Sequence, residues 1–219
     1  MELLLDQLAC RRAGRLIYRD LGFRLPAGQV AALRGPNGVG KSTLLRQLAG
    51  FLPVATGDAR LGSISLKTDR SGFQEQIAYA GHLDAIKPAL TVAENLDVWC
   101  RINGAAITTI TTALERFGLA RIAERPAAQC SAGQKRRLGL ARLMVVHRPL
   151  WLMDEPTVSL DQDAVGTVVE LVREHLAGGG SALIATHADL GLGQIPELRM
   201  SPPEPVGPGA QDPFLEGSW

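Results

Sequence analysis

Cysteine, net charge and long apolar runs are all scarce in this chain, and each scarcity removes a class of function. Cys10, Cys100 and Cys130 form an odd, scattered set without metal-ligand spacing, which suits a reducing cytosol and excludes a disulfide framework. A formal net charge of +1 gives no field for nucleic acid or an anionic surface. No apolar run approaches the ~18 residues of a membrane span, so any membrane role is expected to come through a partner. The opening Met1-Glu2-Leu3-Leu4-Leu5-Asp6 lacks a basic segment and is interrupted by acids, unlike a secretory signal. Internal repeats, a long charged linker and a coiled-coil insert are missing too. What remains is 219 residues, 46% hydrophobic, enough for one α/β domain with a small inserted subdomain.

One stretch organises that domain. Gly35-Pro36-Asn37-Gly38-Val39-Gly40-Lys41-Ser42-Thr43 follows the apolar run Val30-Ala31-Ala32-Leu33 and opens a segment with helical spacing, Leu44, Leu45 and Leu48. Strand, glycine loop and helix are the setting of a phosphate-binding loop. The glycines let backbone N–H groups turn inward onto an anion, and the helix start adds its positive dipole end. Lys41 is read as the charge on the β- and γ-phosphates, and Ser42 as a hydroxyl ligand for Mg²⁺. ATP and Mg²⁺ are the expected ligands.

Along the chain, residues 2–9 and 21–25 read as edge strands split by a polar turn around 11–15, and 58–66 as a loosely alternating strand. Ile77-Ala78-Tyr79 is a short buried strand. Thr91 with Glu94 forms a capping box that predicts a helix to about Ile102, stopped by Asn103-Gly104. A second helix is expected over 107–117. Residues 88–130 therefore read as a compact helical insert, extended to about 146 by a helix that Ser131 caps. Leu150-Trp151-Leu152-Met153 is an apolar strand, 162–177 a helix ended by Gly178-Gly179-Gly180, and Ser181 to Ala185 another buried strand. Apolar strands alternating with helices imply a mainly parallel sheet covered on both faces. Beyond Gln194 the pattern collapses, so the domain is read as 1–195 and the proline-rich 196–219 as an irregular tail.

Asp154 and Glu155 close an apolar strand, where open α/β sheets bind ligands. Adjacent carboxylates repel unless a cation shares the site, so Asp154 is read as a Mg²⁺ ligand and Glu155 as the group that polarises an attacking water. With these residues in place, the chain resembles the ATP-binding subunits of ABC transporters over residues 1 to about 194. Cys130-Ser131-Ala132-Gly133-Gln134 resembles that family's signature, Ser159-Leu160-Asp161 its D-loop, and His187, 32 residues after Glu155, its switch histidine. The resemblance implies a P-loop ATPase fold: a parallel core sheet, an antiparallel edge sheet and a helical insert. It also implies a head-to-tail dimer with a second copy, in which Ser131 and Gly133 face the nucleotide held by the partner's Lys41. Glu155 would then be the catalytic base, His187 a contact to the γ-phosphate, and Asp161 a link between the two sites.

Three departures from the family pattern stand out. Gly81-His82 replaces the usual glutamine, so His82 could reach metal or water and would change protonation near neutral pH. Arg12 aligns where an aromatic usually stacks on adenine, and a guanidinium plane can stack instead. Cys130 and Ala132 replace a leucine and a glycine of the signature. Together with the small size, Gly81-His82, the 131–137 run and Thr186-His187-Ala188-Asp189-Leu190 resemble the branch that serves heme export in cytochrome c maturation. That likeness implies a peripheral ATPase on the cytoplasmic face of the bacterial inner membrane, bound to integral permease subunits of the heme exporter. No direct heme ligand is expected in this chain. The alternatives are an importer or exporter of another substrate, and a soluble ABC protein acting on ribosomes or DNA.

Overall fold

The computed structural model describes residues 1–82 and 85–202. Four strands that read as apolar runs or short buried stretches, and a fifth of three residues that does not, assemble into one parallel sheet in the order β6 (Ile77–Ala80), β7 (Leu150–Asp154), β8 (Ser181–Ala185), β3 (Val30–Arg34) and β9 (Glu197–Arg199). Their residues alternate between two separate apolar cores. Ala31, Leu33, Leu150, Leu152, Leu183 and Ala185 face one, while Val30, Trp151, Met153, Ala182 and Ile184 face the other. Burial on both faces is why β3, β7 and β8 carry no polar alternation, whereas edge strand β9 buries only Leu198.

The first core is closed by α1 (Lys41–Leu48), through Leu44, Leu45 and Leu48, and by a second sheet. This sheet is antiparallel, ordered β2 (Arg15–Leu25), β1 (Leu3–Arg12), β4 (Thr56–Leu61) and β5 (Ile64–Ser65). The other core lies beneath α6 (Gln162–Ala177) and the insert between β6 and β7, which consists of α3 (Val92–Asn103), α4 (Thr108–Arg116) and α5 (Ala132–Ala141). The capping box at Thr91 and Glu94 forms as the sequence predicts, and Gly104 ends α3 in the left-handed conformation.

Several boundaries differ from the sequence reading. The edge strands are one hairpin of 10 and 11 residues rather than two short pieces, because bulges at its register shifts absorb the residues that break the alternation. The strand expected over 58–66 is a tight hairpin, β4 and β5, turned by Gly62 at φ 60°. A helix α2 (Arg70–Glu75), capped by Asp69, was not foreseen; with only six residues it shows no apolar period. Regular structure also continues past Gln194: β9 pairs with β3, and Leu198 and Met200 are buried. The break in pattern is therefore not the edge of the domain at 195, because the open edge of β3 supplies the partner that a three-residue strand needs. Phe214, Leu215 and Trp219, together with Pro203, Pro205, Pro208 and Pro213, lie outside the described residues.

Candidate active site

The glycine loop joins β3 to α1 at the carboxyl end of the parallel sheet. Gly35, Gly38 and Gly40 take φ values of 146°, 80° and 111°, a region where a side chain is strained. At two of them space forbids one as well: a Cβ on Gly35 would lie 2.5 Å from the Met200 carbonyl oxygen, and one on Gly40 2.7 Å from Ile17 Cγ2. The first turn of α1 carries no acidic side chain, and neither does that of α5. The same is true of α2 and of α4, whereas α3 and α6 place Glu94 and Asp163 there. The two helix starts assigned to phosphate thus leave their positive dipole ends uncompensated, as anion sites require.

Lys41 is buried, and the three protons of its ammonium have three partners. These are the carbonyls of Gly35 (2.7 Å) and Pro36 (3.2 Å) and the ring Nε2 of His187 (3.1 Å). The same His187 nitrogen lies 3.0 Å from Asn37 Oδ1 and 3.7 Å from Glu155 Oε1. It can accept from the ammonium or donate to the Asn37 carboxamide, but not both at once. The structure therefore gathers Asn37, Lys41, Glu155 and His187 at one point from three separate loops. Glu155 holds φ 46°, a left-handed conformation unusual for a residue with a side chain, and such strain concentrates at reacting centres. Its N–H donates to the Ala185 carbonyl at 2.8 Å.

Asp154 is buried at the end of β7 and Ser42 is exposed on the first turn of α1. A hydroxyl and one carboxylate are hard oxygen donors that suit Mg²⁺, which keeps waters and phosphates in the rest of its shell. No group of three or more His, Cys, Asp or Glu side chains able to hold a metal occurs among the described residues, so an all-protein cage does not compete with this reading. His82 is exposed beside Gly81, whose position is set by the Tyr79 ring: a Cβ at 81 would lie 2.8 Å from it.

Ser131 caps α5 in a capping box with Gln134, and both Ser131 and Ala132 are exposed. Gly133 packs on the D-loop, where a Cβ would stand 3.2 Å from the Ser159 carbonyl oxygen. Asp161 caps α6 through Ala164 N at 2.9 Å and forms an ion pair with Arg137. Signature and D-loop are thus fastened to each other within one chain. Arg12 is exposed at the tip of the β1–β2 hairpin, whose second strand lays Ile17 and Tyr18 against Gly40.

Two arginines that the sequence reading passed over complete the frame. The buried Arg136 of α5 donates to the carbonyls of Gly81 (2.7 Å), Asp154 (2.9 Å) and Glu155 (2.7 Å), joining three motif-bearing segments. Arg34, which ends β3, donates to the carbonyls on either side of His187, Thr186 and Ala188. The only sequence signal for Arg34 is a charge closing an apolar strand. For Arg136 it is an arginine on the buried side of a capped helix.

A family profile described as ABC transporter matches residues 18–158. Curated relatives named Cytochrome c biogenesis ATP-binding export protein CcmA cover nearly the whole chain. The one from Cereibacter sphaeroides is 48% identical, covering 98% of this chain and 98% of its own length. That from Ruegeria pomeroyi is 52% identical, covering 88% of each. Among solved structures, an ATP-binding subunit of an ABC transporter superposes with a TM-score of 0.78 at 24% identity, covering 85% of this chain and 80% of that one, a likeness of fold. With a profile matched across more than half its length and relatives aligned nearly end to end, the chain belongs to the ABC transporter family of ATP-binding, ATP-hydrolysing proteins.

Proposed function

We propose that this ATPase powers the heme-delivery step of cytochrome c maturation, bound to integral membrane subunits on the cytoplasmic face of the bacterial inner membrane. The observation that carries the reading is end-to-end similarity to relatives named for cytochrome c biogenesis export. No helix among the described residues is long and apolar enough to cross a membrane, so contact with a bilayer would run through a partner. An apolar groove between the core and the insert supports such a contact. It encloses about 360 Å³, lined by Phe51, Tyr79, Trp99 and Arg142 among others, with Phe51 56% exposed.

Two copies would close head to tail, each glycine loop and Lys41 holding the triphosphate while the partner's Ser131 and Gly133 cap the γ-phosphate. Ser42 and Asp154 would hold Mg²⁺, which when bound neutralises charge on the β- and γ-phosphates. Glu155 accepts the proton of the attacking water, His187 steadies the γ-phosphate, and the chain's contribution is mainly positioning. Asp161, joined to both α5 and α6, links the two sites. In this reading His82 would contact water or metal, and Arg12 would offer its guanidinium plane to adenine.

Affinity capture of the tagged full chain from detergent-extracted bacterial membranes tests the assignment. Co-purification of the cytochrome c maturation membrane subunits is the expected result. Recovery of an unrelated permease rejects the heme-export assignment while leaving the ATPase intact.

A further inference from the structure

We propose that Arg34 is a positioning residue that holds the switch histidine, His187, in its catalytic place. The reason lies in the crossover that carries His187. Strands β8 and β9 run parallel on either side of β3, and parallel strands are usually joined through a helix that packs on the sheet. Here the connection over 186–196 contains no helix. Gly191 and Gly193 take left-handed φ values of 64° and 78°, and a Cβ on either would meet nothing within 4 Å. Between this loop and the face of β3 and β8 lies a cavity of about 560 Å³, lined by Arg34, Thr186, Asp189 and Leu190 among others. The segment therefore has room to retreat and no helical ladder to keep it forward.

Arg34 supplies part of what the missing helix would. One guanidinium nitrogen donates to the Thr186 carbonyl and the other to the Ala188 carbonyl at 3.2 Å, so the fork straddles the His187 peptide. The fork is steadied from behind by Glu197 of β9, at 3.6 Å from Nε. Its backbone is fixed from the same edge, where the Arg34 carbonyl accepts from Met200 N, just past β9, at 2.8 Å. Because Arg34 immediately precedes Gly35, this side chain ties the switch loop to the foot of the phosphate loop. A planar fork can hold two carbonyls in fixed register, which a lysine ammonium on a flexible stem cannot. Displacement of a catalytic group by about 1 Å can cost about a hundredfold in rate.

The inference rests on the reading of His187 as the γ-phosphate contact, so the experiment separates the two. Steady-state MgATP hydrolysis is measured for the full chain assembled with its membrane subunits, as wild type, Arg34→Met, Arg34→Lys, His187→Ala and the double variant Arg34→Met/His187→Ala. Arg34→Met is expected to lower kcat about ten- to a hundredfold with KM within about twofold, the pattern of a group that acts on the transition state. In the His187→Ala background the same change should cost less than about twofold, since it works through the histidine. Amide hydrogen exchange should quicken across 186–191 and stay unchanged across 41–48. Arg34→Lys should fall between, with kcat reduced several-fold, and serves if Arg34→Met does not fold. A wild-type rate in either Arg34 variant, an equal loss with and without His187, or faster exchange in both segments would overturn the proposal. Full turnover in His187→Ala would instead remove the role assigned to His187, and this proposal with it.

Discussion

Arg136→Met tests whether the signature helix holds the catalytic centre together. Methionine keeps the length and apolar stem of the side chain and its helix preference, so the change isolates the guanidinium. Three carbonyls then lose a charged donor, those of Gly81, Asp154 and Glu155. A buried acceptor stripped of its partner costs about 1–3 kcal/mol. Glu155 is half-buried and water can take over there, and removing a buried guanidinium returns part of its desolvation cost. The net loss is about 3 kcal/mol. At roughly 3 °C per kcal/mol for a chain of this size, the melting midpoint should drop by about 10 °C. Turnover should fall further than the folded fraction does, by at least about tenfold, because the strained backbone of Glu155 loses one of its three anchors, the others being Ala185 and Val158. Thermal melting by circular dichroism and ATP hydrolysis measured well below the melting midpoint report the two effects separately. A variant that melts within about 2 °C of the parent and turns over normally would refute the reasoning.

Glu155→Gln should abolish hydrolysis while ATP still binds and the closed dimer accumulates, read by size-exclusion chromatography with MgATP; unchanged turnover would displace Glu155 as the base. Gly40→Ala meets both a φ of 111° and Ile17 at 2.7 Å, so nucleotide affinity should drop at least about tenfold, measured with a fluorescent ATP analogue. His175 stacks on Trp151 with ring centroids 3.9 Å apart, and burial lowers its pKa below the usual 6.5 despite carbonyl bonds that raise it. The unfolded chain therefore takes up this proton first. The stability from the neutral ring is fully present above pH 6.5 and lost as pH falls through the lowered folded value. Denaturant melts of His175→Gln should show a flatter pH dependence below 6.5; an identical slope would exclude this residue as its source.

Much of the site was legible because its parts are local. The glycine loop, the Thr91–Glu94 capping box, the Ser131 cap and the Asp154-Glu155 strand end each need only a few neighbouring residues, and each forms where the sequence predicts. The strand β9 was not legible, since Glu-Leu-Arg has no apolar run and pairs only because β3 presents an open edge. The hairpin β1–β2 was read too short for a related reason. Gln7 and Asp20 take φ values of 46° and 53°, and such kinks interrupt the period-two pattern on which a strand is recognised.

By itself the sequence determined the parts of the proposed site: a glycine loop opening a helix, a paired carboxylate at a strand end and a second capped helix, all encoded at fixed short spacings. Tertiary structure alone decided how these are held. The order β6-β7-β8-β3-β9 brings His187 within 3.1 Å of Lys41 across 146 positions of chain. It also aims Arg34 and Arg136 at carbonyls that no spacing rule links to them. Backbone carbonyls are the same at every position, so the residue type of an arginine cannot say which of them it will reach; only the packed sheet can.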